Sequence, residues 1–127
     1  MRLIRKDFAT LVVKPYNKYR NKRIIGGYAS AKEARRAQAL KLLERAGKIR
    51  HLREQVPFTL IPSQRKPDGK AERPVVYFAD FVYEEEPNGF HAPWPLVVED
   101  VKGFRTPDYV IKRKLMLRVH GIAIRET

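Results

Sequence analysis

Apolar positions along this chain change spacing several times, and each change predicts an element. Residues 8–13 form a short apolar run that predicts an edge strand or a contact between copies. Residues 24–28, Ile-Ile-Gly-Gly-Tyr, predict a short strand and turn. Helical spacing then begins. Ala37, Leu40 and Leu43 mark an apolar stripe, and Lys32, Arg35, Arg36, Lys41 and Arg45 supply the polar side. Ser30 is a suitable N-cap and Gly47 a suitable stop after Ala46. Ile49 and Leu52 lead into a predicted strand over 55–61, which Pro57 makes an edge strand or a strand beginning there. Residues 62–74 are polar, with an Asp68-Gly69 turn signal.

A strong strand is predicted over 75–83 and another over 96–102, closed by Gly103. Between them, Asn88-Gly89 and three prolines mark a long hairpin connection. Thr106-Pro107-Asp108 is a helix start, combining a cap, a first-turn proline and an acid at the positive end of the dipole. That helix runs to about residue 119, carrying Val110, Ile111, Leu115, Leu117 and Val119, and residues 122–124 predict a last short strand. There is no internal repeat. The order of elements predicts an α/β fold, a small mixed β-sheet flanked by helices, in one domain over 1–127. Within it, 1–29 reads as a basic arm and 30–127 as the core.

Charge sharpens this picture. The formal net charge is +13, and residues 1–53 hold sixteen Lys and Arg against three acids, whereas residues 54–127 hold equal numbers of each. Charge segregated in this way suggests a polyanionic partner bound in a salt-dependent manner. Residues 14–23 interleave Tyr16 and Tyr19 with Lys14, Lys18, Arg20, Lys22 and Arg23, a composition suited to tracking a nucleic-acid backbone while rings stack on bases. Arg36 and Lys112 are candidate phosphate contacts on the two helices. Cysteine is absent, which removes disulfides, thiolate zinc sites and cysteine nucleophiles. His51, His91 and His120 are too scattered to form a metal pattern. No apolar run reaches the roughly 20 residues of a membrane span, and the N-terminal residues lack a signal peptide's apolar centre, so a cytoplasmic protein is expected.

The candidate chemistry lies on the two central strands. Asp80 interrupts an otherwise apolar stretch of high β-propensity, Val-Val-Tyr-Phe-Ala-Asp-Phe-Val-Tyr over 75–83. Leu96-Val97-Val98 reads as a buried run, yet it ends in Glu99-Asp100-Val101-Lys102. Charges placed there cost several kcal/mol unless paired or bound to metal. Strand alternation sends Asp100 and Lys102 to one face and Val97, Glu99 and Val101 to the other. A hairpin would bring Asp80 beside Asp100. Asp68-Gly69-Lys70 repeats the carboxylate-x-lysine spacing but sits in a turn. Glu33 fits a capping box with Ser30 and shares a helix face with Ala37 and Leu40, which aims it at the sheet. Gln55 is a candidate polar group at the edge of the site.

Taken together, Ser30-Ala-Lys-Glu33, Glu54-Gln55-Val-Pro-Phe58, Tyr77-Phe-Ala-Asp80-Phe-Val-Tyr83 and Val98-Glu-Asp100-Val-Lys102-Gly103 resemble the PD-(D/E)xK nuclease superfamily. More narrowly, the chain is similar, from about residue 16 onward, to small phage-encoded endonucleases akin to Holliday junction resolvases. The resemblance implies a restriction-endonuclease-like core. It makes Asp80 the motif aspartate, with Ala79 where the pattern has proline, Asp100 the metal-binding acid, Lys102 the motif lysine and Glu33 the helix glutamate. It implies Mg²⁺, with Mn²⁺ able to substitute, held by Asp80, Asp100, the Val101 carbonyl and Glu33. It also implies a homodimer acting on branched DNA, in the host cytoplasm if phage-encoded. A nuclease of flaps, ends or single strands and a non-catalytic DNA-binding module are the alternatives.

Overall fold

The computed structural model describes residues 27–127. The apolar run at 8–13, the basic arm, and with it Lys14, Lys18, Arg20, Lys22 and Arg23, lie outside the described residues.

Helix α1 spans Ala31–Arg45. Ser30 has extended backbone, and its hydroxyl accepts the Glu33 amide at 3.1 Å, satisfying one of the helix's open donors. The helix stops at Gly47, whose φ of 77° lies in the left-handed region that glycine enters without a side-chain clash. Its buried residues are Glu33, Ala37 and Leu40. Leu43, expected on that stripe, is 37% exposed, so a carboxylate stands where the apolar pattern would put a hydrocarbon.

Strand β1 covers Ile49–Ile61, β4 Val75–Glu85 and β5 Leu96–Asp100. Between β1 and β4, residues 62–74 are not a plain loop: β2 (Gln64–Arg65) and β3 (Ala71–Glu72) pair as a small exposed ribbon around the Asp68-Gly69 turn. After β5 come helix α2 (Pro107–Leu115), a π-helical turn over Met116–His120, and β6 (Arg125–Glu126).

The main sheet has the order β1-β4-β5-β6. Its β1–β4 and β4–β5 pairs are antiparallel and β5–β6 is parallel. The chain is thus α/β with a small mixed sheet. Strand β1 is an edge, which lets Pro57 sit in mid-strand without breaking a central ladder.

Each helix covers a separate apolar cluster on the sheet. Ala37 and Leu40 of α1 pack with Ile49, Phe81, Tyr83 and Val97. Tyr109 of α2 and Met116 of the following turn pack with Leu60, Tyr77, Ala79, Val82 and Val98.

Three expectations shift. Strand β1 begins at Ile49, because pairing with Glu84 and Glu85 extends it beyond the apolar stretch. Strand β5 ends at Asp100, two residues short of Lys102. The last strand lies at 125–126: Ile122 and Ile124 instead pack against the α2-side cluster, so their alternation recorded burial without pairing. Among the described residues no helix is long and apolar enough to cross a membrane.

Candidate active site

Antiparallel pairing of Phe81 with Glu99 sets the two acid-bearing strands in register and brings Asp80 next to the end of β5. There the Val101 amide donates to Asp80 Oδ2 at 2.8 Å. Asp80 Oδ1 accepts from Gln55 Nε2 at 3.2 Å. Gln55 has a φ of 52°, a left-handed conformation that costs a non-glycine residue energy and that clusters at functional sites.

Asp100 is 3% exposed. Its Oδ2 lies 2.5 Å from Lys102 Nζ but receives no hydrogen bond of good geometry. This contact is a close ion pair on a buried carboxylate. The lysine and aspartate project to the same side, as alternation predicts, although the strand itself has ended. Glu99 turns the other way and is fully buried. It accepts from Arg36 at 2.5 and 3.0 Å, from the Tyr83 hydroxyl at 2.6 Å and from Thr127 at 3.1 Å.

Glu33, Asp80, Asp100 and Lys102 all line one cleft of about 590 Å³, between the start of α1, the first half of β4, the end of β5 and the start of α2. Tyr77, Tyr109 and Lys112 line it as well. Lys112 therefore faces the cleft, as a phosphate contact would require. Arg36 does not stand open to a polyanion: its side chain is 30% exposed and is committed to Glu99.

The electrostatics are those of crowded acids. Burial raises the proton affinity of Asp80, and the neighbouring Asp100 charge raises it further; the Val101 amide opposes both, and the result is a pKa of about 7. Burial would likewise raise Glu99, but hydrogen bonds from Arg36 and Tyr83 hold it below the ordinary value. Opposite shifts on acids of adjacent strands separate their roles. Glu99 is a satisfied structural anion, and Asp80 an anion under strain.

Oxygen donors of this kind suit a hard cation such as Mg²⁺, which commonly takes one or two carboxylates and completes its shell with water. The buried Asp100 carboxylate, ion-paired to Lys102 and set beside Asp80, fits that demand. Among the described residues no group of three His, Cys, Asp or Glu has a metal-binding arrangement. Asp80 and Asp100 are the two carboxylates that strand pairing sets side by side. Glu33 lines the same cleft, and Val101 contributes its amide to Asp80.

Two further residues belong to the site without having been visible in the sequence. Tyr77 is 4% exposed, and its hydroxyl has no hydrogen-bond partner of good geometry. Burial and the Asp100 charge push its ionisation far above the ordinary phenol range. Tyr109 sets its ring against Lys102, with the ammonium 3.9 Å from the ring centroid. Both tyrosines sit on apolar faces where the pattern gives only core.

A family profile described as "Protein of unknown function (DUF1064)" matches residues 16–124. Searches of curated proteins and of solved structures found no match.

Proposed function

The chain belongs to the DUF1064 family, and from the chemistry of its cleft we propose that it is a Mg²⁺-dependent, structure-selective DNA endonuclease, most specifically a Holliday junction resolvase. The observation that carries this reading is the convergence of Asp80, Asp100, Lys102 and Glu33 in one cleft. Asp80 is strained there by burial and by Asp100 in a way that a divalent cation would relieve. The resemblance of the motifs around these residues to PD-(D/E)xK nucleases supports the same reading.

A phosphodiester brought to this cleft meets four carboxylates, Glu33, Asp80, Asp100 and Asp108, against Lys102 and Lys112, so a counter-cation would ease the approach of the anion. When bound, Mg²⁺ supplies that charge and lowers the pKa of a coordinated water. The chain's own residues then have distinct tasks. Asp80 and Asp100 would hold the cation, and the Gln55 and Val101 donors fix the orientation of the Asp80 carboxylate. Lys102 Nζ, on the same side as Asp100, orients the attacking water and meets the charge that develops on the phosphoryl oxygens. Glu33 accepts hydrogen bonds from water on the helix side of the cleft. The oxygen of water bonds to phosphorus and gives up a proton to solvent, the bond from phosphorus to the leaving sugar oxygen breaks, and that oxygen takes a proton from solvent. Lys112 contacts a neighbouring phosphate.

DNA is the partner, branched DNA the preferred form, a homodimer the working unit and the cytoplasm the compartment. Symmetric incision of a four-way junction needs two such sites related by a two-fold axis. The alternative is a DNA-binding module without cleavage, favoured by the commitment of Asp100 to Lys102. Incubating the protein with a labelled four-way junction and with matched duplex, in Mg²⁺ or EDTA, separates these readings. Cleavage in Mg²⁺ supports the nuclease, and binding without cleavage supports the module.

A further inference from the structure

We propose that Tyr109 is the positioning residue for Lys102: its ring holds the ammonium in the cleft, and Glu126 holds the ring. A lysine beyond a strand end has four rotatable bonds and about 2 kcal/mol of rotamer entropy, so one carboxylate partner alone leaves its head group free to swing. Here a second surface constrains it. Lys102 Nζ lies 3.9 Å from the Tyr109 ring centroid, well inside the range of a cation–π contact. Tyr109 is 6% exposed and packed in the α2-side cluster, which restricts movement of its ring.

The tether behind the ring is equally defined. The Tyr109 hydroxyl donates to Glu126 Oε2 at 2.7 Å. Arg105 donates twice to Glu126 Oε1, at 2.8 and 2.6 Å, and Arg113 lies 3.6 Å from Oε2. Parallel pairing sets Glu126 opposite Asp100. One residue on, the Thr127 amide donates to the Asp100 carbonyl and the Thr127 carbonyl accepts from the Lys102 amide, both at 3.0 Å. Strand β6 thus brackets the backbone of Asp100-Val101-Lys102 and also fixes the carboxylate that orients the ring. Lys32 Nζ closes the arrangement by donating to the Lys102 carbonyl at 2.9 Å.

The consequence for cleavage rests on the nuclease reading; the placement of the lysine does not. Two measurements keep them apart. In the full chain with ¹³C-labelled lysine, the Lys102 methylene signals, assigned by their loss in Lys102→Arg, should be shifted upfield by the ring current of Tyr109. The shift should shrink without vanishing in Tyr109→Phe, which keeps the ring and loses its hydroxyl tether, shrink similarly in Glu126→Ala, and vanish in Tyr109→Leu. Lys102 signals that coincide with those of the other lysines in the unmodified protein overturn the proposal, whether or not Tyr109→Leu folds.

On a four-way junction, Tyr109→Leu should lower kcat by about tenfold, the scale of a desolvated cation–π contact, with affinity in EDTA unchanged. Tyr109→Phe should lose no more than about threefold, because the ring face remains. Equal losses in the Phe and Leu variants, or a loss confined to affinity, would make Tyr109 merely structural and overturn its role towards Lys102. An unmodified protein that binds but does not cut defeats the nuclease reading and leaves the spectroscopic test standing.

Discussion

Arg36 and Glu99 form an ion pair across the interface between helix α1 and strand β5, with Nε 2.5 Å from Oε2 and Nη2 3.0 Å from Oε1. Glu99 precedes Asp100, and Arg36 follows Glu33 by one helical turn. The pair therefore fixes the distance between the helix carboxylate and the strand that carries the acid-lysine motif. Tyr83, donating to Glu99 Oε1 at 2.6 Å, supports it from the sheet.

Removing one partner of such a pair strands the other. Arg36→Met leaves the fully buried Glu99 with Tyr83 and Thr127 alone, and should destabilise the fold by about 3–5 kcal/mol. Urea unfolding at neutral pH measures this. A loss within about 0.5 kcal/mol, as expected of an ordinary surface arginine, would contradict the assignment.

Asp80 carries the opposite sign. Its folded pKa, about 7, lies above its ordinary value of 3.8, so the fold binds a proton that the unfolded chain releases. Stability from this group is therefore fully present below the ordinary carboxylate range and is lost as pH rises towards about 7. Asp80→Asn removes the penalty. At pH 8 in EDTA it should be more stable than the parent by roughly 1–3 kcal/mol, with the difference closing as pH falls towards 4. Thermal melts of both proteins across that range check the sign, and a variant less stable at pH 8 would refute it.

The same strain predicts a metal response. Mg²⁺ binding only the folded chain should raise its stability by about 2.7 kcal/mol at one hundred times the Kd. Asp80→Asn and Asp100→Asn should each lose most of that gain. A parent Tm that does not move with Mg²⁺, or one that moves as much in both variants as in the parent, would remove Asp80 and Asp100 as the holding pair.

Local chemistry explains which parts of this arrangement the sequence discloses. The Ser30 cap, the Gly47 stop and the Thr106-Pro107 start depend on neighbouring residues, and the helices begin where those signals lie. Asp80 is conspicuous because an acid interrupts an apolar strand, and the Asn88-Gly89 connection places it beside Asp100. Other features depend on distant partners. Arg36 reads as one more basic residue on a polar helix face, yet its partner lies 63 positions away. Tyr109 reads as core, yet one side of its ring meets Lys102 and its hydroxyl meets Glu126. The parallel pairing of β6 with β5 brings together segments separated by a helix, and no local pattern marks the two residues involved. The ribbon of β2 and β3 lacked any apolar alternation, because both strands are exposed throughout.

The most direct test of the central claim is a cleavage assay on a labelled four-way junction beside duplex of the same sequence, with Mg²⁺ or EDTA, using the parent protein and Asp80→Asn. The account predicts paired, Mg²⁺-dependent nicks in the junction, little cutting of duplex, and a variant that binds the junction without cutting it. Junction binding with no cleavage by the parent, or cleavage undiminished in Asp80→Asn, would contradict it.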